Sequence, residues 1–261
     1  MTVSVIVGGA SGIGAALAEQ ERDAGHDVSV WDVQPPADIR VDISDEDGVR
    51  AAVEATVAAV GLVDRLSVCA GVGSSGLLTD LDMAEWDRVQ AVNTRGPMLV
   101  MREWARRLAE HDRPASFVAV TSVSAHLTDR NMGAYCASKA ALNMVVKVAA
   151  AEWGAARIRV NAVGPGVTDT PMLGGAPLDR GWLTRVSHRT ALGSIGSAAQ
   201  VARVIAAVHG LDWVTGQIID ADGGLGLHSP IDAYEEILRS RAGEPADPDT
   251  QEAPPPVGDH R

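Results

Sequence analysis

Short apolar runs alternate with longer helical patterns from the first residues of this chain almost to its end, and nothing else in it narrows the fold so far. Val3–Val7, Val28–Trp31, Leu66–Cys69, Phe117–Val120, Ile158–Val163 and Gln217–Asp220 read as strands. Gly12–Ala24, Glu46–Val60, Ala84–Ala109, Tyr135–Trp153 and Ala198–His209 read as helices. Such alternation builds a parallel sheet, because each parallel neighbour needs a crossover and a helix supplies it. Runs as uniformly apolar as Val-Ser-Val-Ile-Val suit strands covered on both faces. The expected class is α/β, a doubly wound parallel sheet of about seven strands with helices on both faces, in one domain. One crossover helix is missing: between Asp32 and Val41 there is room only for a short loop through Pro35-Pro36. The domain is expected over residues 1–228, a short C-terminal helix or extension over 229–240, and a disordered tail over 241–261, which is rich in Pro, Asp and Glu.

Composition excludes several function classes. The formal charge of −12 argues against a nucleic-acid partner, since phosphate neutralisation needs a basic face. Only 3% of residues are aromatic, so the core must be built from Ala, Val, Leu and Ile. The two cysteines, Cys69 and Cys136, make no disulfide framework, and no Cys/His spacing resembles a metal site. The longest apolar stretch, Ala140–Ala151, is interrupted by Asn143 and Lys147, too short and too polar for a membrane span. The first residues show no basic segment followed by a cleavage site, so a reduced, cytoplasmic setting is expected.

The first strand runs into Gly8-Gly9-Ala10-Ser11-Gly12-Ile13-Gly14 and then a helix. Glycine is needed where a backbone turns sharply and approaches a pyrophosphate, whose charge then sits on free N–H groups at a helix N-terminus. This gives the sheet its Rossmann-like reading. Asp32, ending the second strand, is placed to accept hydrogen bonds from the ribose hydroxyls of an adenosine. It would repel a 2′-phosphate, and neither the glycine turn nor Val33-Gln34 offers a base to bind one, which favours NAD over NADP.

Tyr135-Cys136-Ala137-Ser138-Lys139 places Tyr135 and Lys139 one helical turn apart on one face. A free tyrosine has a pKa of about 10; a cation one turn away favours the phenolate and tunes it for acid–base work. The spacing is common by itself. What sharpens it is that Lys139 and Lys147 are the sole lysines of a chain that otherwise uses arginine. Ser122, just past the strand Phe117–Val120, lies at the strand end where ligands bind, able to hold a substrate oxygen beside Tyr135.

These motifs resemble the short-chain dehydrogenase/reductase family over nearly all of Met1 to Gly224. The family's Thr-Gly-x-x-x-Gly-x-Gly is matched from Val7 to Gly14 with valine leading, its Asn-Ala-Gly by Cys69-Ala70-Gly71, and its adenine-contacting Asp by Asp42, followed by Ile43. Asn93 matches its central-helix Asn, and Ser122 precedes the Tyr-x-x-x-Lys at the usual interval. Asn161 to Gly166, continuing through Val167 to Thr170, is similar to the segment that holds the nicotinamide carboxamide, and Asp222-Gly223-Gly224 to the last strand. A closer similarity is to the branch of bacterial 3α-hydroxysteroid dehydrogenase/carbonyl reductases, without the long insertion some of those carry between serine and tyrosine.

The resemblance implies Tyr135 as acid/base, Ser122 as substrate anchor, Lys139 as pKa modifier and ribose ligand, and Asn93 as holder of a relay water. It implies NAD contacts at Gly8, Ser11, Gly12, Ile13, Gly14, Asp32, Asp42, Ile43, Cys69, Ala70, Gly71, Pro165, Gly166, Val167 and Thr170. It also implies a homotetramer, or a homodimer, assembled through the helices Ala84–Ala109 and Tyr135–Trp153. Met172 to Ile195, with Leu173, Leu178, Trp182 and Leu183, stands where a substrate lid belongs, and its apolar residues suggest a hydrophobic alcohol or ketone. Two other functions stay open: a ketoacyl-carrier reductase, and a catalytically silent nucleotide sensor on the same fold.

Overall fold

A computed structural model describes residues 2–174, 180–227 and 241. The chain divides into two units, Met1–Gly226 and Leu227–Arg261. Apart from Arg241, the expected final helix and tail lie outside the described residues. The first unit runs β1 (Val3–Val7), α1 (Gly12–Asp23), β2 (Asp27–Asp32), β3 (Ile39–Arg40), α2 (Glu46–Val60), β4 (Arg65–Val68), α3 (Met83–Gln90), a π-helical turn (Ala91–Arg95) and α4 (Gly96–Glu110). It continues through β5 (Ala115–Val120), α5 (Gly133–Trp153), β6 (Ile158–Pro165), β7 (Thr168–Asp169), α6 (Pro171–Gly174), α7 (Arg180–Arg189), β8 (Gly196–Ser197), α8 (Ala198–His209) and β9 (Ile218–Ala221). Seven strands form one parallel sheet in the order β3-β2-β1-β4-β5-β6-β9.

The uniformly apolar strands divide their side chains between two cores. Val5 and Val7 join Leu66, Phe117 and Trp104 under α2, α4 and α5, while Ile6 joins Leu17, Val118 and Ile205 under α1 and α8. Period-two alternation explains how β1 can be buried throughout and still feed both layers. Helix starts follow local chemistry: Asp45 caps α2, Asp82 caps α3, and Ser197 with Gln200 forms a reciprocal capping box on α8.

The short connection expected between the second and third strands is present, and two features depart from the sequence reading. The second crossover needs no helix because β3 pairs only with the last two residues of β2, Trp31 with Ile39 and Asp32 with Arg40, so the loop never travels back along the sheet. Asp38 fastens that loop, accepting the Val30 N–H at 2.8 Å and returning its own N–H to the Val30 carbonyl at 2.9 Å. The helix expected over Ala84–Ala109 is interrupted by the π turn Ala91–Arg95, whose extra residue leaves the apolar periodicity on either side intact. The β7–β8 pair was not anticipated, its strands being only two residues each.

Under α8, His209 is fully enclosed, Nε2 2.8 Å from Ser67 Oγ and Nδ1 3.0 Å from Ser116 Oγ. Burial pushes its pKa down to about 3, assisted by Arg65, Arg159 and His26. Its folded value is therefore below its unfolded one, so only the unfolded chain takes up this proton between about 6.5 and about 3. Stability from this group is complete above pH 6.5 and falls on acidification, by at most about 1.4 kcal/mol per pH unit. Urea midpoints compared at pH 7.5 and 5 are expected to converge in His209→Gln relative to the parent; an unchanged pH slope would refute the assignment.

Candidate active site

In open α/β sheets ligands bind beyond the carboxyl ends of the strands, where the strand order reverses, here between β1 and β4. Residues 8–14 turn tightly at that point. Gly8 and Gly12 have φ of +77° and +55°; a Cβ on Gly8 would stand 2.5 Å from the Ala70 nitrogen, and one on Gly14 only 2.1 Å from the Gly8 oxygen. The turn is wound on itself and pressed against the Cys69-Ala70-Gly71 segment, so the three conspicuous glycines of the sequence have separate steric reasons. Ser11 starts α1 but makes no side-chain capping bond, and the first turn, including Ile13, holds no acidic residue. That helix end is left with N–H groups and partial positive charge to offer an anion.

Asp32 ends β2 beside the glycine turn. Its Oδ2 accepts the Ala10 N–H at 3.0 Å and its Oδ1 the Gln34 N–H at 2.9 Å, so the carboxylate ties the glycine turn to the end of β2. Opposite it in register is Arg40, whose Nε donates to the Val33 carbonyl at 3.0 Å. Sequence reasoning missed this cation, because the register of β3 on β2 is not legible from a two-residue strand. Thr170 approaches from β7: its side chain lies 3.6 Å from where a Gly12 Cβ would be. Pro165 ends β6 beside Ala221, Gly166 leans on the Asp222 backbone, and the Val167 carbonyl accepts the Gly196 N–H at 2.9 Å. Asp42 is exposed and binds Ser44 through both its N–H and hydroxyl, while the Ile43 side chain is buried against Gly96.

The four proposed catalytic residues converge from β5, the π turn and α5. The Tyr135 hydroxyl faces the Ser122 side chain, whose Oγ accepts the Ser124 N–H at 3.1 Å. Burial raises the phenol pKa, the neighbouring Ser122 side chain lowers it, and Cys136 and Asp129 raise it further. This differs from the expectation that Lys139 would lower it. The Lys139 ammonium stands 5.8 Å from the centre of the Tyr135 ring and donates instead to the Val120 carbonyl at 2.9 Å. It is itself only 3% exposed, and burial pushes its pKa down to about 8 against the opposing pull of Cys69.

Asn93 is wholly buried, its Oδ1 accepting the Val72 N–H at 2.8 Å and its Nδ2 donating to the Val72 carbonyl at 2.9 Å and to Ser138 Oγ at 3.1 Å. The amide thus clips the loop after β4 to α5, and both its N–H groups are used in doing so. A Cβ on Gly71 would meet Lys139 Nζ at 3.3 Å and Asn93 Oδ1 at 3.4 Å, which is why glycine stands there. The Cys69 thiol is pushed up to about 12 by burial, so it is a packed neutral group rather than a nucleophile. Ser74, not singled out from the sequence, accepts the Tyr135 N–H at 3.2 Å and braces the start of α5. His126 is paired with Asp220 at 3.3 Å.

These residues fit a dinucleotide. A buried ammonium with three donors has one carbonyl in hand, and the α1 terminus stands free beside an acidic strand end. Residues 8–226 match the family described as enoyl-(acyl carrier protein) reductase. The cis-4-hydroxycyclohexanecarboxylate dehydrogenase of Sinomonas cyclohexanicum is 33% identical over 85% of this chain and 95% of its own. The chain is a short-chain dehydrogenase/reductase. The (−)-isopiperitenol/(−)-carveol dehydrogenase of Mentha piperita is 31% identical to this short-chain dehydrogenase/reductase, over 85% of the chain and 92% of the relative. Among solved structures, the ligand-free aldohexose dehydrogenase of Thermoplasma acidophilum superposes with a TM-score of 0.82 at 28% identity, covering 88% of this chain and 96% of that one. Among the described residues of this short-chain dehydrogenase/reductase, no helix is long and apolar enough to cross a membrane.

Proposed function

We propose that this chain is an NAD-dependent dehydrogenase that interconverts a hydrophobic, cyclic secondary alcohol and its ketone. The carrying observation is the grouping of Tyr135, the buried Ser122 beside it and the Lys139 ammonium one turn on, at the same strand ends as the glycine turn. The nicotinamide, when bound, takes or gives the hydride. Ser122 Oγ holds the substrate oxygen, and Tyr135 passes it a proton as the phenol in reduction or takes one as the phenolate in oxidation. Lys139 binds the ribose and supplies positive charge near the phenol, while Asn93 holds the loop at Val72 in place behind both. Asp42, Ile43, Cys69, Ala70, Gly71, Pro165, Gly166, Val167 and Thr170 complete the dinucleotide contacts in this reading.

The substrate class rests on the rim and on the relatives. Leu78, largely exposed, packs under Gly133 two residues before Tyr135; Met172 and Leu192 are exposed on the segment after β7. Both curated relatives are named for oxidation of a ring alcohol. Exposed Met144 and Val148 on α5 support self-association, which we assign as a homotetramer of a cytoplasmic enzyme.

Absorbance at the NADH band, followed with a panel of cyclic alcohols, tests the proposal. Activity with NAD is expected to exceed that with NADP by about tenfold or more, as like charges brought together cost several kcal/mol. Equal rates with NADP would sink the Asp32 argument and direct attention to Arg40. A second reading, a ketoacyl-carrier reductase, is favoured only by the acyl-carrier substrate in the description of the matched family. Turnover of acyl thioesters with no turnover of any cyclic alcohol would select it.

A further inference from the structure

At the amino ends of the strands, the far end of the sheet from Tyr135, lies an open cleft of about 420 Å³. Four arginines, Arg65, Arg113, Arg157 and Arg159, line it together with Ser116 and His209. The catalytic proposal uses none of them. In a chain of charge −12, four guanidinium groups around one cleft call for a reason.

Sheet register supplies half of it. Ser4 on β1 is aligned with Arg65 on β4, Arg65 with Ser116 on β5, and Ser116 with Arg159 on β6. Pairing at one level of the sheet puts all four side chains on the same face, so a polar row crosses four adjacent strands whose other residues are mostly apolar. Among the described residues Ser4 Oγ is buried without a hydrogen-bond partner, and His209 is held neutral between Ser67 and Ser116.

The remaining half is an unequal distribution of partners. Arg65 is paired with the buried Glu21 at 3.1 Å, Arg113 with Asp64 at 2.9 Å, and Arg157 with Asp112 at 2.9 Å. Arg159 differs: it donates to the Val214 carbonyl at 3.2 Å and the His209 carbonyl at 2.8 Å, with no carboxylate ion pair among the described residues. Burial disfavours its charge most, Asp212 opposes that, and the neighbouring Arg65 disfavours it further. Asp64, the other acid of the lining, is already committed to Arg113 and to the Val3 N–H. Each guanidinium has five donors, so every one of the four keeps some to spare.

We propose that this cleft binds a compact oxyanion, a phosphate or carboxylate group, with Arg159 as its central ligand and Arg113 and Arg157 on the rim. An apolar ligand finds no matching wall here. A planar fork facing an open polar cleft is instead suited to bidentate oxygen pairs.

The test is thermal unfolding of the full chain with saturating dinucleotide present, so that the glycine turn cannot take the probe. Sodium phosphate and sodium citrate are titrated separately against sodium chloride of equal ionic strength. A saturable rise in Tm beyond chloride is expected, since a ligand that binds only the folded state stabilises it by mass action. The better probe tells a phosphoryl source from a polycarboxylate one. In Arg159→Gln the apparent affinity should fall about tenfold or more, as for loss of hydrogen bonds to a charged group, with dinucleotide affinity unchanged. Should that variant fail to fold, the Arg113→Gln/Arg157→Gln pair, at exposed positions, carries the same expectation. A Tm response no larger than that of chloride, or one with the same midpoint in the arginine variants, overturns the proposal and leaves the row as structural stitching of the strand ends.

Discussion

Tyr135→Phe is expected to lose about 10²- to 10⁴-fold in kcat, the span a positioned acid–base group contributes, while fold and dinucleotide affinity persist. The ring keeps its place beneath the Lys139 ammonium, and only the hydroxyl is removed. The direction of the phenol shift adds a second signature. Burial holds the pKa above its ordinary value in the structure as it stands, so the phenolate needed to draw a proton from an alcohol forms only toward alkaline pH. Alcohol oxidation should therefore rise with pH and ketone reduction should fall, in matched pH–rate profiles. Retention of most of the parental rate in the phenylalanine variant would remove Tyr135 from the chemistry.

Gly14→Ala carries the largest expected effect on binding. Its methyl would lie 2.1 Å from the Gly8 oxygen and 2.8 Å from the Gly8 carbonyl carbon. Both are backbone atoms that cannot swing aside, and Gly8 itself has Ala70 directly behind it. The turn must open. Overpacking of this kind costs about 1–3 kcal/mol, and expressed in the geometry of the nucleotide cradle it lowers affinity by roughly tenfold to a hundredfold. Dinucleotide titration by intrinsic fluorescence measures it. Gly154→Ala is the control: no atom lies within 4 Å of its Cβ position and its backbone is right-handed helical, so it should be neutral or mildly stabilising. Equal losses in both variants would show a general glycine effect rather than a close approach.

Much of this architecture could be read from local pattern. Strand-and-helix alternation located the sheet, and the glycines after β1, the strand-end Ser122 and the single helical turn between Tyr135 and Lys139 located the site. What local pattern could not carry is anything decided between strands remote in the chain. The row Ser4–Arg65–Ser116–Arg159 exists only through register, as does the placement of Arg40 opposite Asp32. Nor could spacing give the shift at Tyr135, where desolvation is the largest cause while the Lys139 ammonium donates to the Val120 carbonyl. The clasp of the Asn93 amide on Val72 and Ser138 likewise appears only once three segments are packed together.

The π turn at Ala91–Arg95 holds one residue more than an α-helical turn would, closed by the Gly96 N–H on the Ala91 carbonyl. Deleting a single residue there would give the chain an uninterrupted and intrinsically better helix. It would also rotate α3 by about 100° relative to α4, and Asn93 would either leave Val72 and Ser138 or drag its helix with it. Local regularity and the site are thus in opposition over one residue, and what looks like a surplus amino acid is the spacer that keeps two halves of the molecule in phase.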